Sequence, residues 1–410
     1  MIEKKDTIVL PIGDSRKPLL EAAADALKNI SIPNRPVLIT FWGTKGVGKT
    51  TLLTNITRQL ATDYPVEIVE ISKIAQRSVE DIKYAIWQQL EKISLDRSAV
   101  ILLDDLDELL RRDSHSFFDF ERTVIEPLTE KGNVLILCTS CIELNQWRED
   151  DVRIRQVNYQ IQAMTDEEVM ALLSDTRILA KKAYHLTFGH PKVANWLRED
   201  PTLTERQLSA KAWVYFLEDI PEAARSIAGI IYCFPLFNVF ILKKTYESLT
   251  GNELDYLICL EWIKEYIRHG LLYWDVSVGS YRFTDSAVRR LLFRNILFSD
   301  PDRFDKVQQV ASEYFQSEAR SPGYLHLHLV SAIYHMAQAE RRLSQEATGQ
   351  QYLAWFGSNR ESWQSARWGE VLAAWQTGAG EKAVCEEIQE FIGLRQYNAL
   401  IREIKQARNL

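Results

Sequence analysis

The chain has 410 residues, 46% of them hydrophobic, enough for about two to four domains with apolar cores of their own. A formal net charge of -7 excludes a general attraction to nucleic acid or anionic membranes, and five scattered cysteines argue against a disulfide framework. No apolar run reaches the length of a membrane span and MIEKKDTIVL lacks the layout of a signal peptide, so the cytoplasm is the expected compartment.

In chain order, Thr7 to Pro11 reads as a strand, Gly13-Asp14-Ser15 as a turn, and Pro18 to Lys28 as an alanine-rich helix. Pro36 to Thr51, PVLITFWGTKGVGKTT, then runs from an apolar strand (Val37, Leu38, Ile39, Phe41) into a glycine-rich loop and a helix from Lys49 to about Ala61. The spacing Gly43, four residues, Gly48, Lys49, Thr50 is that of a P-loop. Glycines let backbone N–H groups turn inward, Lys49 supplies a point charge for the β- and γ-phosphates, and the Thr50 hydroxyl can ligate Mg²⁺. The helix N-terminus favours the same anion. Gly43, Thr44, Lys45, Gly46, Val47, Gly48, Lys49, Thr50 and Thr51 are therefore expected to hold ATP or ADP.

VEIVEI, Val66 to Ile71, alternates as a strand, and Val79 to Ile93 is helical by spacing. In AVILLDDLDE, Ala99 to Glu108, an apolar strand runs into acids, the Walker B pattern. Asp104 is the expected Mg²⁺ ligand beside Thr50, and Asp105 the residue that polarises the attacking water. Asp107 and Glu108 read as a solvated acidic loop. The path between Thr50 and Asp104 has room for helix, strand, helix and strand, the arrangement expected when another strand is inserted between the P-loop and Walker B strands. That favours hydrolytic, motor or switch ATPases over kinases and Ras-like GTPases, and no NKxD is present. Asn133 to Cys138 forms a fourth strand ending in Thr139 and Ser140, hydroxyls placed to sense the γ-phosphate or the water. A fifth, about Val157 to Ile161, closes the sheet. Cys138 and Cys141 make a CxxC at that strand end, but with no second pair they are assigned no metal or redox role.

From Thr165 the pattern is helical. Thr165 and Glu168 form a capping box, a second helix ends at Gly189-His190-Pro191, and KVANWLRE follows. Three helices, Glu222 to Phe234, Ile241 to Leu249 and Leu254 to His269, precede a β-hairpin, the order of a winged helix. The chain from Pro301 is expected to be helical, with Leu329, Ile333, Met336 and Ala337 on one stripe and Val371, Leu372 and Trp375 on another. Trp355, Trp363, Trp368 and Trp375 read as the aromatic core of a small bundle or a docking surface. His326 and His328 have no third ligand and are assigned no metal.

The expected fold is an α/β P-loop NTPase of ASCE type with a parallel sheet (residues 1–163). A helical lid (164–218), a winged helix (219–300) and a helical segment, TPR-like or bundle (301–410), follow it. GTKGVGKTT, LLDDLDE, ILCTS, MTDEEVMALL and the GHP turn in this order resemble the STAND-class ATPases, NB-ARC/NACHT-like signalling switches. The resemblance implies an ATP/ADP-binding switch with slow hydrolysis that controls assembly with protein partners, as a homo-oligomer or through the C-terminal helices, in a signalling or defence system. It implies Pro191 over the adenine. Ser140 stands where many relatives carry a sensor arginine, and Arg282, in Tyr281-Arg282-Phe283, where relatives have a Met-His-Asp histidine that touches phosphate. YRFTDSAVRRLL is also similar to archaeal and origin-recognition AAA+ ATPases, and the alternative is a DNA-binding ATPase using the winged helix on duplex DNA. Against it, Leu254 to His269 is acidic or neutral. Arg282, Arg289, Arg290 and Arg294 form a basic cluster beyond the wing, read as a solvated helix face or a nucleotide-contacting edge.

Overall fold

Short apolar segments alternate with amphipathic helices in the first half of the chain, a pattern that buries both faces of a parallel sheet. The strands are β1 (Leu38–Trp42), β2 (Val66–Ile71), β3 (Ser98–Leu103), β4 (Val134–Ser140) and β5 (Gln156–Gln160), in the order β2-β3-β4-β1-β5. All pairs are parallel. This computed structural model describes residues 13–32, 35–64, 66–71, 77–92, 98–176, 178–320, 326–339 and 381–408. The expected strand Thr7 to Pro11, the tryptophan cluster and the Val371–Trp375 stripe lie outside these residues.

The inserted strand is β4, with β1 on one side and β3 on the other, while VEIVEI forms the edge. Alternation along the strands sends Ile101, Leu103, Ile136 and Cys138 to one core layer, and Val100, Leu102, Leu135 and Leu137 to the other. The P-loop helix Lys49–Asp63 buries Leu52, Leu53, Ile56 and Leu60 in that second layer.

Chain contacts divide the molecule into two units, residues 1–212 with 267–271, and residues 213–266 with 272–410. The first unit carries the sheet and the helices Asp166–Leu172, Ala180–Thr187 and Pro191–Glu199. Thr165 and Glu168 make the expected capping box. Gly189 has φ +77, and a Cβ there would overlap the Met164 carbonyl oxygen, so only glycine fits the turn before Pro191.

In the second unit the expected helix Glu222 to Phe234 is two short pieces, Glu222–Arg225 and Ala228–Ile231, followed by β6 (Leu236–Phe237), which the sequence reading missed. Helices Val239–Thr250 and Tyr256–Arg268 precede β7 (Leu272–Asp275) and β8 (Ser280–Phe283), and the antiparallel order is β6-β8-β7. A two-residue strand carries no period, which is why it escaped notice. The remaining described chain is helical, over Ser286–Ser299, Pro301–Arg320, His326–Ala339, Glu381–Ile392 and Leu394–Arg408. His326 and His328 belong to the helix His326–Ala339. Among the described side chains of helix His326–Ala339, Val330 to His335 and Gln338 are buried and Met336 is half-buried, while Leu329 and Ala337 of the expected stripe lie outside them.

The basic cluster that follows the β7–β8 hairpin is not a solvated face. Arg289 is 4% exposed and Arg294 8%. Arg289 donates to the Glu387 carboxylate and, at 3.2 Å, to the Tyr334 hydroxyl, while Tyr334 donates to Glu387 at 3.0 Å. Burial alone would lower the guanidinium's pKa, but Glu387 and then Tyr334 hold it above its ordinary value. Breaking a buried pair leaves one charge uncompensated, so Glu387→Ala should cost about 3–5 kcal/mol in urea unfolding. Adding Arg289→Met to it should recover most of that loss.

Candidate nucleotide site

The loop after β1 needs a backbone that β-carbons forbid. Gly46 and Gly48 have φ +79 and +99, and the buried Val47 side chain closes the loop onto the core. The Gly43 N–H donates to the Ser140 carbonyl at 3.1 Å, tying the loop's start to the end of β4. Helix Lys49–Asp63 starts directly after Gly48, so its free N–H groups open at the loop.

Lys49 is 7% exposed, and its Nζ donates to the carbonyls of Gly43 (3.1 Å) and Thr44 (3.3 Å) and to the Cys141 sulfur (3.3 Å). Burial by itself would lower this pKa, but the Cys141 sulfur, Asp105 and Asp107 hold it above its ordinary value. The ammonium is therefore charged and ready for an anion.

The Walker B acids leave β3 on the other side of β4. Asp104 accepts from the Thr50 hydroxyl at 2.8 Å and from the Thr139 hydroxyl, while Thr139 Oγ1 accepts the Asp105 N–H at 2.8 Å. Asp105 has φ +55, a left-handed conformation that Asp tolerates better than most residues. Burial raises its pKa, with Asp104 and Asp107 adding to the shift and Lys49 and Arg111 opposing it. A carboxylate made reluctant to stay charged is a suitable partner for a water proton. Thr50 and Asp104 place a hydroxyl and a carboxylate oxygen side by side, hard donors that fit Mg²⁺.

The first unit thus brings together the loop residues, Thr50, Asp104, Asp105 and Thr139. Thr44 is buried, Lys45 half-buried and Thr51 exposed. Ser140 is buried with its Oγ donating to the Ile142 carbonyl at 2.6 Å, and the strand-end contact with Lys49 belongs to Cys141. Pro191 opens helix Pro191–Glu199 and is buried. Arg282 belongs to the second unit, where it pairs with Asp275 at 2.8 Å.

Sequence reasoning overlooked three residues. Asp107, read as part of a solvated loop, is fully buried and accepts the Cys141 N–H at 3.0 Å, with Arg111 Nη2 at 3.3 Å. Its position three residues after Asp104, at the start of helix Asp107–Arg112, was the available signal. Cys141 was set aside with Cys138. Arg16 donates to the Val47 carbonyl at 3.0 Å, in a stretch where no pattern marked it.

Residues 39–156 match the family profile described as AAA, ATPase family associated with various cellular activities. This stretch is an AAA ATPase domain. The matched span runs from β1 to the first residue of β5 and includes the P-loop, both Walker B acids and Thr139. ATP and ADP are the nucleotides of such a domain, and hydrolysis of ATP is its reaction. No curated protein matches the sequence. Among solved structures, the chain is similar to the Aeropyrum pernix ORC2 protein in ADPNP-ADP complexes, at 14% identity over 72% of this chain and 97% of that one, TM-score 0.42. It is also similar to a Walker-type ATPase of Pyrococcus abyssi, at 12% identity over 68% and 95%, TM-score 0.46. A third is the Aeropyrum pernix ORC1 protein in complex with DNA, at 14% over 72% and 95%, TM-score 0.38. The family matched is AAA.

Two outcomes are expected at the AAA domain. Lys49→Ala removes a charge-assisted contact of about 1.5–3 kcal/mol, so affinity for a fluorescent ATP analogue should fall roughly tenfold to a hundredfold. Asp105→Asn should keep nucleotide binding while slowing turnover. Because burial raises the Asp105 pKa, the folded state binds more protons than the unfolded one above the ordinary carboxylate pKa, and stability falls as pH rises through that window. The Asn variant lacks this loss, so urea unfolding near neutral pH should show no destabilisation.

Proposed function

We propose that the chain is an ATP/ADP switch with slow hydrolysis that controls assembly with protein partners in a signalling or defence system. The observation that supports a switch is a clip inside the first unit. The Ser15 N–H and hydroxyl donate to Glu168 Oε1 at 2.9 and 2.7 Å, while Glu168 Oε2 accepts the Thr165 N–H that caps helix Asp166–Leu172. The next residue, Arg16, holds the P-loop at the Val47 carbonyl. One short turn, Asp14–Arg16, therefore joins the phosphate loop to the first lid helix, and a rearrangement of the loop on binding or losing a γ-phosphate is felt by the lid.

In this reading Lys49 binds the phosphates and Asp105 orients the water. Thr139 acts through Asp104 and Asp105, because its hydroxyl already bonds both. Mg²⁺, held by Thr50 and Asp104, would neutralise charge on the phosphates. Arg289 is engaged by Glu387 and takes no part. The duplex-DNA reading is disfavoured by the would-be reading helix Tyr256–Arg268, whose exposed residues include Tyr256, Leu257 and Ile258 rather than a row of cations. Phe240 at 66%, Leu257 at 67% and Val276 at 83% exposure suit a protein partner better than phosphates.

Light scattering with ADP, ATP and a non-hydrolysable analogue, beside duplex binding at near-physiological salt, tests the proposal. Particle mass should differ between ADP and the analogue, with weak duplex binding in every state. An unchanged mass together with tight, salt-sensitive duplex binding would replace the switch with the DNA-binding ATPase.

A further inference from the structure

Beside Lys49 of the P-loop, Asp105, Asp107 and Cys141 each present one ligand atom, and the three atoms lie within 4.8 Å of one another. This set is distinct from Thr50 and Asp104. The Mg²⁺ pair offers oxygen alone, whereas the second set adds a sulfur, and a thiolate selects soft or borderline ions over magnesium. Asp107 supplies the independent sign of a ligand position. The residue is fully buried, and while Oδ1 accepts the Cys141 N–H, Oδ2 makes no hydrogen bond and has only the Arg111 ion pair at 3.3 Å.

We propose that Asp105, Asp107 and Cys141 form a second metal site, selective for zinc-class divalent ions and exclusive of the Lys49–Cys141 contact. Tetrahedral zinc with bonds of about 2.0–2.3 Å sets its ligand atoms about 3.3–3.8 Å apart, so side-chain rotations of roughly an ångström close the cluster, with water in the fourth position. As the metal–sulfur bond forms, the Cys141 thiol releases its proton to solvent and no electrons change hands. The cation now beside the sulfur is the Lys49 ammonium at 3.3 Å. A divalent ion repels it, so metal binding and the Lys49–Cys141 contact exclude each other. The CxxC spacing is incidental, because Cys138 lies in the core layer beneath β4.

The test uses the full chain without nucleotide, titrated with cadmium chloride as a spectroscopic stand-in for zinc. One equivalent should produce the ultraviolet cadmium–thiolate charge-transfer band, and zinc chloride should abolish it by competition. Cys141→Ser should remove the band and Cys138→Ser should keep it. Lys49→Met, which removes the repelling ammonium, should tighten cadmium binding at least tenfold. Magnesium in large excess should leave the band unchanged. No stoichiometric band in the wild-type chain, or a band that survives Cys141→Ser, overturns the proposal. So does a Lys49→Met variant, folded by circular dichroism, whose cadmium affinity is unchanged or weaker. The switch reading is untouched by any of these results, since it is judged by particle mass with nucleotide and no added soft metal.

Discussion

The Asp104 carboxylate is the joint on which the site depends. It accepts the Thr50 hydroxyl from the P-loop helix and the Thr139 hydroxyl from the end of β4, so one side chain from β3 fixes two other elements. Each hydrogen bond to an ionised group is worth about 1.5–3 kcal/mol. The arrangement requires the sheet order, because β4 must stand between β1 and β3 for Thr139 to reach both Asp104 and the Asp105 N–H. A hydroxyl that accepts from one acid's backbone and donates to the other's side chain has its geometry decided before any ligand arrives.

Electrostatics sets the second constraint. Asp104, Asp105 and Asp107 crowd one corner against Lys49 and Arg111, and burial raises the pKa of Asp105 even though Lys49 opposes the shift. A triphosphate adds further negative charge there. In the proposed reading Lys49 and the N-terminus of its helix would supply part of the compensation, and a divalent cation held by Thr50 and Asp104 would supply the rest. Cys141, held at its N–H by Asp107, brings a softer donor into the same corner.

The second unit is stabilised by different means. Tyr232, Phe237, Tyr281 and Phe283 form a chain of ring contacts at the small sheet, with centroids 5.0–6.3 Å apart. Phe234 extends it to His335, which stacks on Phe315 at 5.4 Å and whose Nδ1 lies 2.7 Å from the Gln308 Oε1 acceptor. Burial pushes His335 down to about 3, with Arg289 adding to the shift, so the ring is neutral near pH 7 and can sit in an apolar stack without charge. Arg289 and Arg294 are buried, which removes them from the set of surface cations that their sequence spacing suggested, while Arg290 stays half-buried.

The sequence by itself determined the parallel-sheet ATPase core, since Gly43 to Thr50 and LLDDLDE are local patterns in which backbone freedom, charge and strand period coincide within a few residues. It also determined the capping box at Thr165 and Glu168 and the helical character of the described chain after Pro301. Tertiary structure decided everything that depends on partners distant in the chain. Asp107 and Glu108 look alike as neighbours in an acidic run, and only the approach of the Cys141 N–H makes Asp107 a buried anchor. Ser140 and Cys141 are adjacent, and the turn after β4 sends the hydroxyl to Ile142 and the sulfur to Lys49. Arg289 reads as a surface cation until Glu387, 98 positions away, neutralises it in the core. Periodicity reports which face of an element is apolar, but a polar group's fate is set by whichever complementary group the fold delivers, and that distance is not written in local sequence.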